Sequence, residues 1–367
     1  MRYRGSRWMV TAVVATVIFT LEAGDAAAKT LAYLFNGEGE VLTFDTDTDT
    51  ITVTRPLPNI GPFMQIAGNI VASPADNLLF IVEGARRFGV RVFEFRSLCY
   101  RGDLGLGTTH LPDVLVPPTG SHFFVKWAVP SAGGAEVVTR FDKATLKNLG
   151  NLPQVPGFLG PREDRKLAFS PDGARLYAYN GDPPLRVEAY NPQNLQVTGT
   201  YDVSPLVASG ILGAGVDDIQ ADRALVGENS AQKYGDPPLL SFFTLNLLNQ
   251  TPTPRITTGL YGQKYLTPRG DKILFNEARW GGMGGQSVGR LHVYDVATGA
   301  KLGLISFRAY ADGEVAGIRP QGDKVYFWHA SPIPKQVTLT SLSLTTFAVI
   351  KEVTARMVPI MIFFEQP

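Results

Sequence analysis

A short turn-and-strand unit recurs along this chain, and its spacing leaves few folds open. The clearest copy runs Leu167-Ala168-Phe169-Ser170-Pro171-Asp172-Gly173-Ala174-Arg175-Leu176-Tyr177-Ala178-Tyr179-Asn180. It reads as an apolar strand, a Ser-Pro-Asp-Gly turn and a second strand of alternating character. Proline presets φ for the turn, and glycine accepts backbone angles that other residues resist. Leucine and tyrosine then supply the bulk that a half-buried strand packs well. Further copies align on the proline at Ser73-Pro74-Ala75-Asp76-Asn77, Pro117-Pro118-Thr119-Gly120, Thr267-Pro268-Arg269-Gly270-Asp271 and Arg319-Pro320-Gln321-Gly322-Asp323. A worn copy without proline lies at Gln220-Ala221-Asp222-Arg223. The steps are roughly 44 to 53 residues, the chain length of a four-stranded propeller blade, and the strand-rich composition rules out helical solenoids.

The fold expected is therefore all-β, a seven-bladed β-propeller of four-stranded blades. Six copies are internal, and the seventh blade is divided between the two ends of the chain. Near the start, Leu31–Asn36, Glu40–Asp45 and Thr50–Arg55 read as the second, third and fourth strands of a blade without its innermost strand. The apolar segment Met357–Phe364 has no partner of its own. Pairing it with the first blade closes the ring and removes two open sheet edges. The blades expected span 29–57 plus 354–367, 58–104, 105–153, 154–205, 206–258, 259–309 and 310–353.

Arg2, Arg4 and Arg7 precede an apolar run from Met9 to Leu21, followed by Ala26-Ala27-Ala28. A basic start, a short apolar core and small residues describe a secretory signal peptide over residues 1–28. The run is short for a membrane span of about 20 residues. The expected location is periplasmic or secreted. Without the leader's three Arg and two acids the chain balances 31 basic against 31 acidic residues. No basic block is dense enough to point to nucleic acid or an anionic membrane. The single Cys99 cannot form an internal disulfide. It lies in the apolar run Val92–Tyr100, which reads as a strand, and is expected as a buried small hydrophobe.

Asp45-Thr46-Asp47-Thr48-Asp49-Thr50 reads as a polar hairpin, because the Gly and the later Glu of an EF-hand loop are absent. Gly181-Asp182-Pro183-Pro184-Leu185 and Gly235-Asp236-Pro237-Pro238-Leu239 echo each other after two second strands. The sixth blade has a longer insertion there, Ala278–Gln286, in which Arg279 and Trp280 are candidate contact residues. His110 and His122 have no Cys or acid at metal spacing, and His292, within the third strand of blade six, reads as a packed or surface residue. No nucleophile elbow or dinucleotide fingerprint is present.

Tyr177-Ala178-Tyr179-Asn180 after Pro-Asp-Gly resembles the repeat of the YVTN-type seven-bladed propellers. Val293-Tyr294-Asp295-Val296-Ala297-Thr298-Gly299 and Phe44-Asp45-Thr46-Asp47-Thr48 are similar to that family's third strand and its Asp-x-x-Thr turn. The resemblance covers the mature chain and extends to the quinoprotein amine dehydrogenase heavy subunits. It implies a propeller and leaves the activity open, since relatives include envelope proteins, lactonases and non-catalytic dehydrogenase subunits.

Counting nine residues past each turn proline gives Glu83, Trp127, Asn180, Glu277 and His329. The worn copy, aligned on its strand, contributes Asn229, and the first blade contributes Asn36. In a propeller these positions circle one mouth of the channel, where they form a candidate ligand ring. Glu83, Asn180, Asn229 and Glu277 supply oxygen ligands that suit a hard cation such as Ca²⁺. A lactonase-like mechanism would use the ion to polarise an ester carbonyl, with His329 as the candidate base. The competing role is turn capping by the Asn amides. Three functions stay open: a scaffold binding a protein or small molecule at the channel mouth, a metal-dependent hydrolase, and the heavy subunit of an amine dehydrogenase-like complex. The first needs only a rigid disc with variable loops.

Overall fold

The computed structural model describes residues 31–36, 40–57, 66–84, 88–108, 112–129, 135–152, 166–179, 185–208, 211–230, 240–258, 262–277, 286–310, 314–330, 337–355 and 359–364. The expected leader, residues 1–28, lies outside them. Blade 1 holds β1 (Leu31–Asn36), β2 (Glu40–Asp45) and β3 (Thr50–Pro56). Blade 2 holds β4 (Ile66–Ser73), β5 (Leu78–Gly84), β6 (Phe88–Glu94) and β7 (Tyr100–Thr108). Blade 3 is β8 (Asp113–Leu115), β9 (His122–Val129), β10 (Ala135–Asp142) and β11 (Asn148–Asn151). Blade 4 is β12 (Lys166–Phe169), β13 (Leu176–Tyr179), β14 (Arg186–Tyr190) and β15 (Val197–Asp202). Blade 5 is β16 (Ile211–Gln220), β17 (Arg223–Ser230), β18 (Leu240–Asn246) and β19 (Ile256–Thr258). Blade 6 is β20 (Gly262–Leu266), β21 (Lys272–Glu277), β22 (Gln286–Asp295) and β23 (Lys301–Tyr310). Blade 7 is β24 (Glu314–Ile318), β25 (Lys324–Ala330), β26 (Val337–Ser343) and β27 (Ala348–Ala355). The last strand, β28 (Pro359–Phe364), pairs antiparallel with β1 and completes blade 1.

All seven sheets have four antiparallel strands, and the fold is a seven-bladed propeller. The outer strands β7 and β27 run a few residues past the limits drawn from sequence, to Thr108 and Ala355. An outer strand has no second neighbour to fix where it stops, so its end is weakly encoded.

The core is divided. Seven apolar clusters fill the seven junctions between blades. Blades 4 and 5 meet through Tyr177, Val187, Val216 and Val226, and blades 7 and 1 through Tyr326, Leu339, Ala32 and Phe44. Alternation along each strand sends one set of side chains to each neighbour, so one blade alone cannot bury both faces.

One face of the disc carries every turn between strands one and two, and between strands three and four. The second kind repeats in all seven blades. Its fifth residue has positive φ: Asp49, Leu98, Leu146, Leu195, Gln250, Gly299 and Phe347. This left-handed residue closes a bulged hairpin, and only Gly299 occupies it without steric cost. A side chain at the turn's start collects the free amides inside it. Asp142 Oδ1 accepts from Ala144 N at 3.1 Å, Thr145 N at 2.8 Å and Thr145 Oγ1 at 2.8 Å. Asp295 and Ser343 act likewise. These bonds hold the Asp142 and Asp295 carboxyls below the usual carboxylate range.

A second repeated bond ties the two turns of a blade together. The amides of Phe95, Lys143, Leu247, Val296 and Leu344 donate to the carbonyls of Asn77, Ser121, Asp222, Asp271 and Asp323, at 2.8–3.0 Å. Blade 4 has Pro192 at this position, which has no N–H to give. In blade 1 the inner strand comes from the far end of the chain, so no such turn exists.

Two substitutions test the turn geometry. Gln250→Gly, at an exposed residue with φ 58°, is expected to stabilise the fold by up to about 1 kcal/mol in denaturant unfolding. Gly299→Ala is expected to destabilise it by about 1 kcal/mol.

Candidate functional site

Strand register defines which second-strand residues are equivalent. Leu31, Leu78, His122, Arg223, Lys272 and Lys324 each face the residue that ends the third strand: Asp45, Glu94, Asp142, Asn246, Asp295 and Ser343. Five residues further lie Asn36, Glu83, Trp127, Glu228, Glu277 and His329. Blade 5 therefore puts Glu228 in the ring, one residue before Asn229. The alignment slipped because the turn of the worn copy is only Ala221-Asp222, both with positive φ, where blades 2, 3, 4, 6 and 7 have a four-residue turn that begins with proline. Asn229 itself lies opposite Gly213 and Leu240.

Four of the equivalent side chains are described, and each meets a side chain of its own blade. Trp127 Nε1 donates to Thr139 Oγ1 at 2.8 Å, and the Thr139 hydroxyl in turn donates to Asn151 Oδ1 at 2.7 Å. Glu228 is 1% exposed. It accepts Ser241 Oγ at 2.6 Å, the Ala208 amide at 3.0 Å and two Arg255 nitrogens at 2.7 and 2.9 Å. Burial pushes its carboxyl up, but these hydrogen bonds outweigh burial and leave it below its ordinary range.

Glu277 lies 3.1 Å from His292 Nε2 and 3.7 Å from Arg290. It shares its strand face with Phe275, which packs against Phe242 of blade 5. His329 Nε2 is 3.3 Å from Thr340 Oγ1, and the residue is 2% exposed. The ring position is thus the polar rim of each junction on the loop face, and these four side chains lean toward the preceding blade. Asn36 ends β1 opposite Pro359, and Glu83 lies on β5 opposite Ile66 and Gly89. Asn180, Arg279 and Trp280 lie outside the described residues. Among the described residues no three His, Cys, Asp or Glu side chains gather closely enough to hold a metal ion.

Several charged groups were not legible in sequence. His292 is buried against Phe275 and Tyr294, and its partner Glu277 is on the neighbouring strand. In β16 a bulge between Val216 and Asp218 turns Asp217 and Asp218 toward blade 6. Asp218 Oδ2 accepts the Leu266 amide at 2.9 Å, and Asp217 pairs with Lys264 at 3.0 Å. The pair fills the space over Gly227, where a Cβ would lie 2.2 Å from Asp217 Oδ2.

On the turn face, Lys143 joins blades 3 and 2 through Asp76 Oδ2 at 2.6 Å and also reaches the Pro117 carbonyl at 2.7 Å. Tyr177 OH bonds Asp222 Oδ1 across blades 4 and 5. The Asp-Thr run is a hairpin that docks on blade 7. Lys324 Nζ reaches Asp49 Oδ2 at 2.9 Å and the Thr46 carbonyl at 2.7 Å, while Arg319 pairs with Asp47. Tyr326 OH reaches Asp49 Oδ1 at 3.1 Å. Burial, then the Asp49 charge, push the Tyr326 hydroxyl well above its ordinary range. Cys99 is exposed, contrary to the expectation of a buried strand residue. It follows Leu98, the left-handed residue of its turn, and so falls outside the alternating pattern of the strand.

No family model and no curated protein sequence matches this chain. Solved structures do. A putative 6-phosphogluconolactonase from Bacteroides fragilis is 14% identical with a TM-score of 0.54, over 92% of this chain and 98% of that one. Dihydro-heme d1 dehydrogenase NirN, solved in complex with DHE, is 13% identical with a TM-score of 0.53, over 91% of this chain and 74% of that one. What they share with this chain is the propeller. At this identity the likeness carries no residue roles.

Burial holds both His122 and His292 below the ordinary imidazole value, against the opposing pull of Glu277 on His292. Histidines kept neutral by folding favour the unfolded state once protons become available. Stability is therefore expected to be full above about pH 6.5 and to fall as pH drops toward the folded-state values. Urea unfolding from pH 8 to pH 5 checks this, and a flat profile would contradict it. Arg255→Met strands the buried Glu228 carboxylate and is expected to cost roughly 3 kcal/mol in the same assay.

Proposed function

We propose that the protein is an exported binding scaffold of the cell envelope, which receives a partner protein or small molecule on the loop face of the disc. One observation carries this reading: the two faces differ in kind. The turn face is built from repeated, internally bonded turns and cross-blade ion pairs. The loop face receives the connections between strands two and three and the crossovers between blades. The former vary in length, from residues 37–39 in blade 1 to 231–239 in blade 5. Variable connections on a rigid frame are where binding residues concentrate. The leader at 1–28 supports export to a periplasmic or secreted location. The contact set proposed is Asn36, Glu83, Trp127, Asn180, Asn229, Glu277 and His329, with Arg279 and Trp280 from blade 6.

A second reading is a metal-dependent, lactonase-like hydrolase with its site at the same mouth. Its support is the pair of acids at equivalent second-strand positions, Glu83 and Glu277, and a propeller neighbour described as a putative lactonase. Glu83, Asn180, Asn229 and Glu277 would hold a divalent ion such as Ca²⁺, and that ion would polarise a carbonyl.

Photocrosslinking in cells separates the faces. A photoreactive residue placed at Glu83 or Asn229 is expected to give adducts, and one at Asn249 on the turn face is not. Adducts confined to Asn249, or a protein retained with its leader intact, would contradict the scaffold reading. About one divalent ion per chain, lost in Glu83→Gln/Glu277→Gln, would favour the hydrolase.

A further inference from the structure

Among the described residues the outermost strand of each blade is a sheet edge with one side unpaired, and six of the seven are shielded in recognisable ways. β3 ends in Pro56, and β19 has three residues beside Pro252 and Pro254. β11 has four residues and β15 six. β7 contains three glycines and the Asp103 that pairs with Arg91. β27 mixes Lys351 with Glu352. Proline, brevity, bulges and mixed charge are the usual devices that keep an edge from accepting another strand.

β23 has none of the first two and lacks the mixed charge. It is the longest outer strand, ten residues without proline or acid. Leu304 is 40% exposed on it, and Val288 on the adjacent β22 is 50% exposed. Leu304 stands opposite His292, and Arg308 opposite Val288, so the two apolar groups and Arg308 share one face of the sheet. The charges on the two strands are mostly of one sign. Lys301, Arg308 and Arg290 stand on the two strands, against the single acid Asp295. That carboxylate is engaged by Thr298 inside its turn. Neither Lys301 nor Arg308 belongs to an ion pair among the described residues.

We infer that β23 is a docking edge for an extended segment of a partner protein in which apolar residues alternate with acids. The segment adds to blade 6 as a fifth, antiparallel strand. Main-chain hydrogen bonds supply attachment. Strict alternation puts the segment's carboxylates on the face of Leu304 and Arg308 and its apolar side chains on the face of Ile305 and Phe307. Carboxylates six residues, about 20 Å, apart along the segment meet Lys301 and Arg308, which the extra residue Leu302 of the bulge brings to one face. The registry is limited on one side by the bulge between Lys301 and Gly303. This surface lies on the rim, apart from the loop face, so the two sites stand or fall separately.

The probe is a labelled ten-residue synthetic peptide alternating valine and glutamate, followed by fluorescence anisotropy on the mature chain. Saturable binding that weakens with added salt is expected. Two controls are expected to bind at least about tenfold more weakly: a valine–lysine peptide, and the valine–glutamate peptide N-methylated at alternate amides. The Lys301→Glu/Arg308→Glu variant, with unchanged far-UV circular dichroism, is expected to reverse the preference between the charged peptides. Absence of saturable binding, equal affinity for both charges, or indifference to N-methylation or to the charge reversal would each overturn the inference.

Discussion

The pairing of β28 with β1 is the constraint on which the rest depends, because it turns a row of blades into a ring. Without it blades 1 and 7 would each present an open face, and the junction cluster around Ala32, Phe44 and Tyr326 would have no second side. The same junction carries a cluster of charge-assisted contacts. Lys324 and Tyr326 grip Asp49, while Arg319 reaches Asp47. Hydrophobic burial sets the driving force at all seven junctions. The directional bonds fix the rotation of one blade on the next, which apolar contact alone specifies weakly.

Closure explains the difference between the two faces. Every blade must offer its neighbours the same curvature, and the repeated turns meet that demand at one end of the disc. Six blades accept a non-glycine residue at the left-handed position, a local cost that the surrounding bonds overcome. At the other end each junction finishes in a polar residue tied to its own blade, such as Glu228 with Ser241 or His329 with Thr340. Beyond that rim the connections are free to differ in length without disturbing the ring. A binding function at the loop face and a docking edge on β23 both use surfaces that closure leaves unconstrained.

Much of the fold was legible in the sequence because period-two strands and Pro-x-Gly turns are local signals. Ser170, Pro171 and Gly173 announce their own conformation, and Gly173, Gly270 and Gly322 all adopt the positive φ that the turn motif implies. The site was less legible. Glu228 was displaced to Asn229 by a turn two residues shorter than its relatives, since register counts residues and one slip exchanges the faces of a strand. The pairing of Glu277 with His292, and of Asp217 with Lys264 over Gly227, depends on neighbouring strands and blades, where sequence spacing says nothing. Cys99 was misplaced because an apolar run was extended through a turn. A polar residue four before the left-handed one marks that turn in every blade once the structure is known, and in three blades the pattern is Asp-x-x-Thr.

Hydrogen–deuterium exchange on the intact chain and on a chain ending at Arg356 tests most directly whether closure governs the whole disc. The account predicts that removing β28 lowers the protection of the turn amides of Phe95, Lys143, Leu247, Val296 and Leu344 together, around the ring. Loss confined to blade 1, with those five amides protected as before, would show that each junction stands alone and would contradict it.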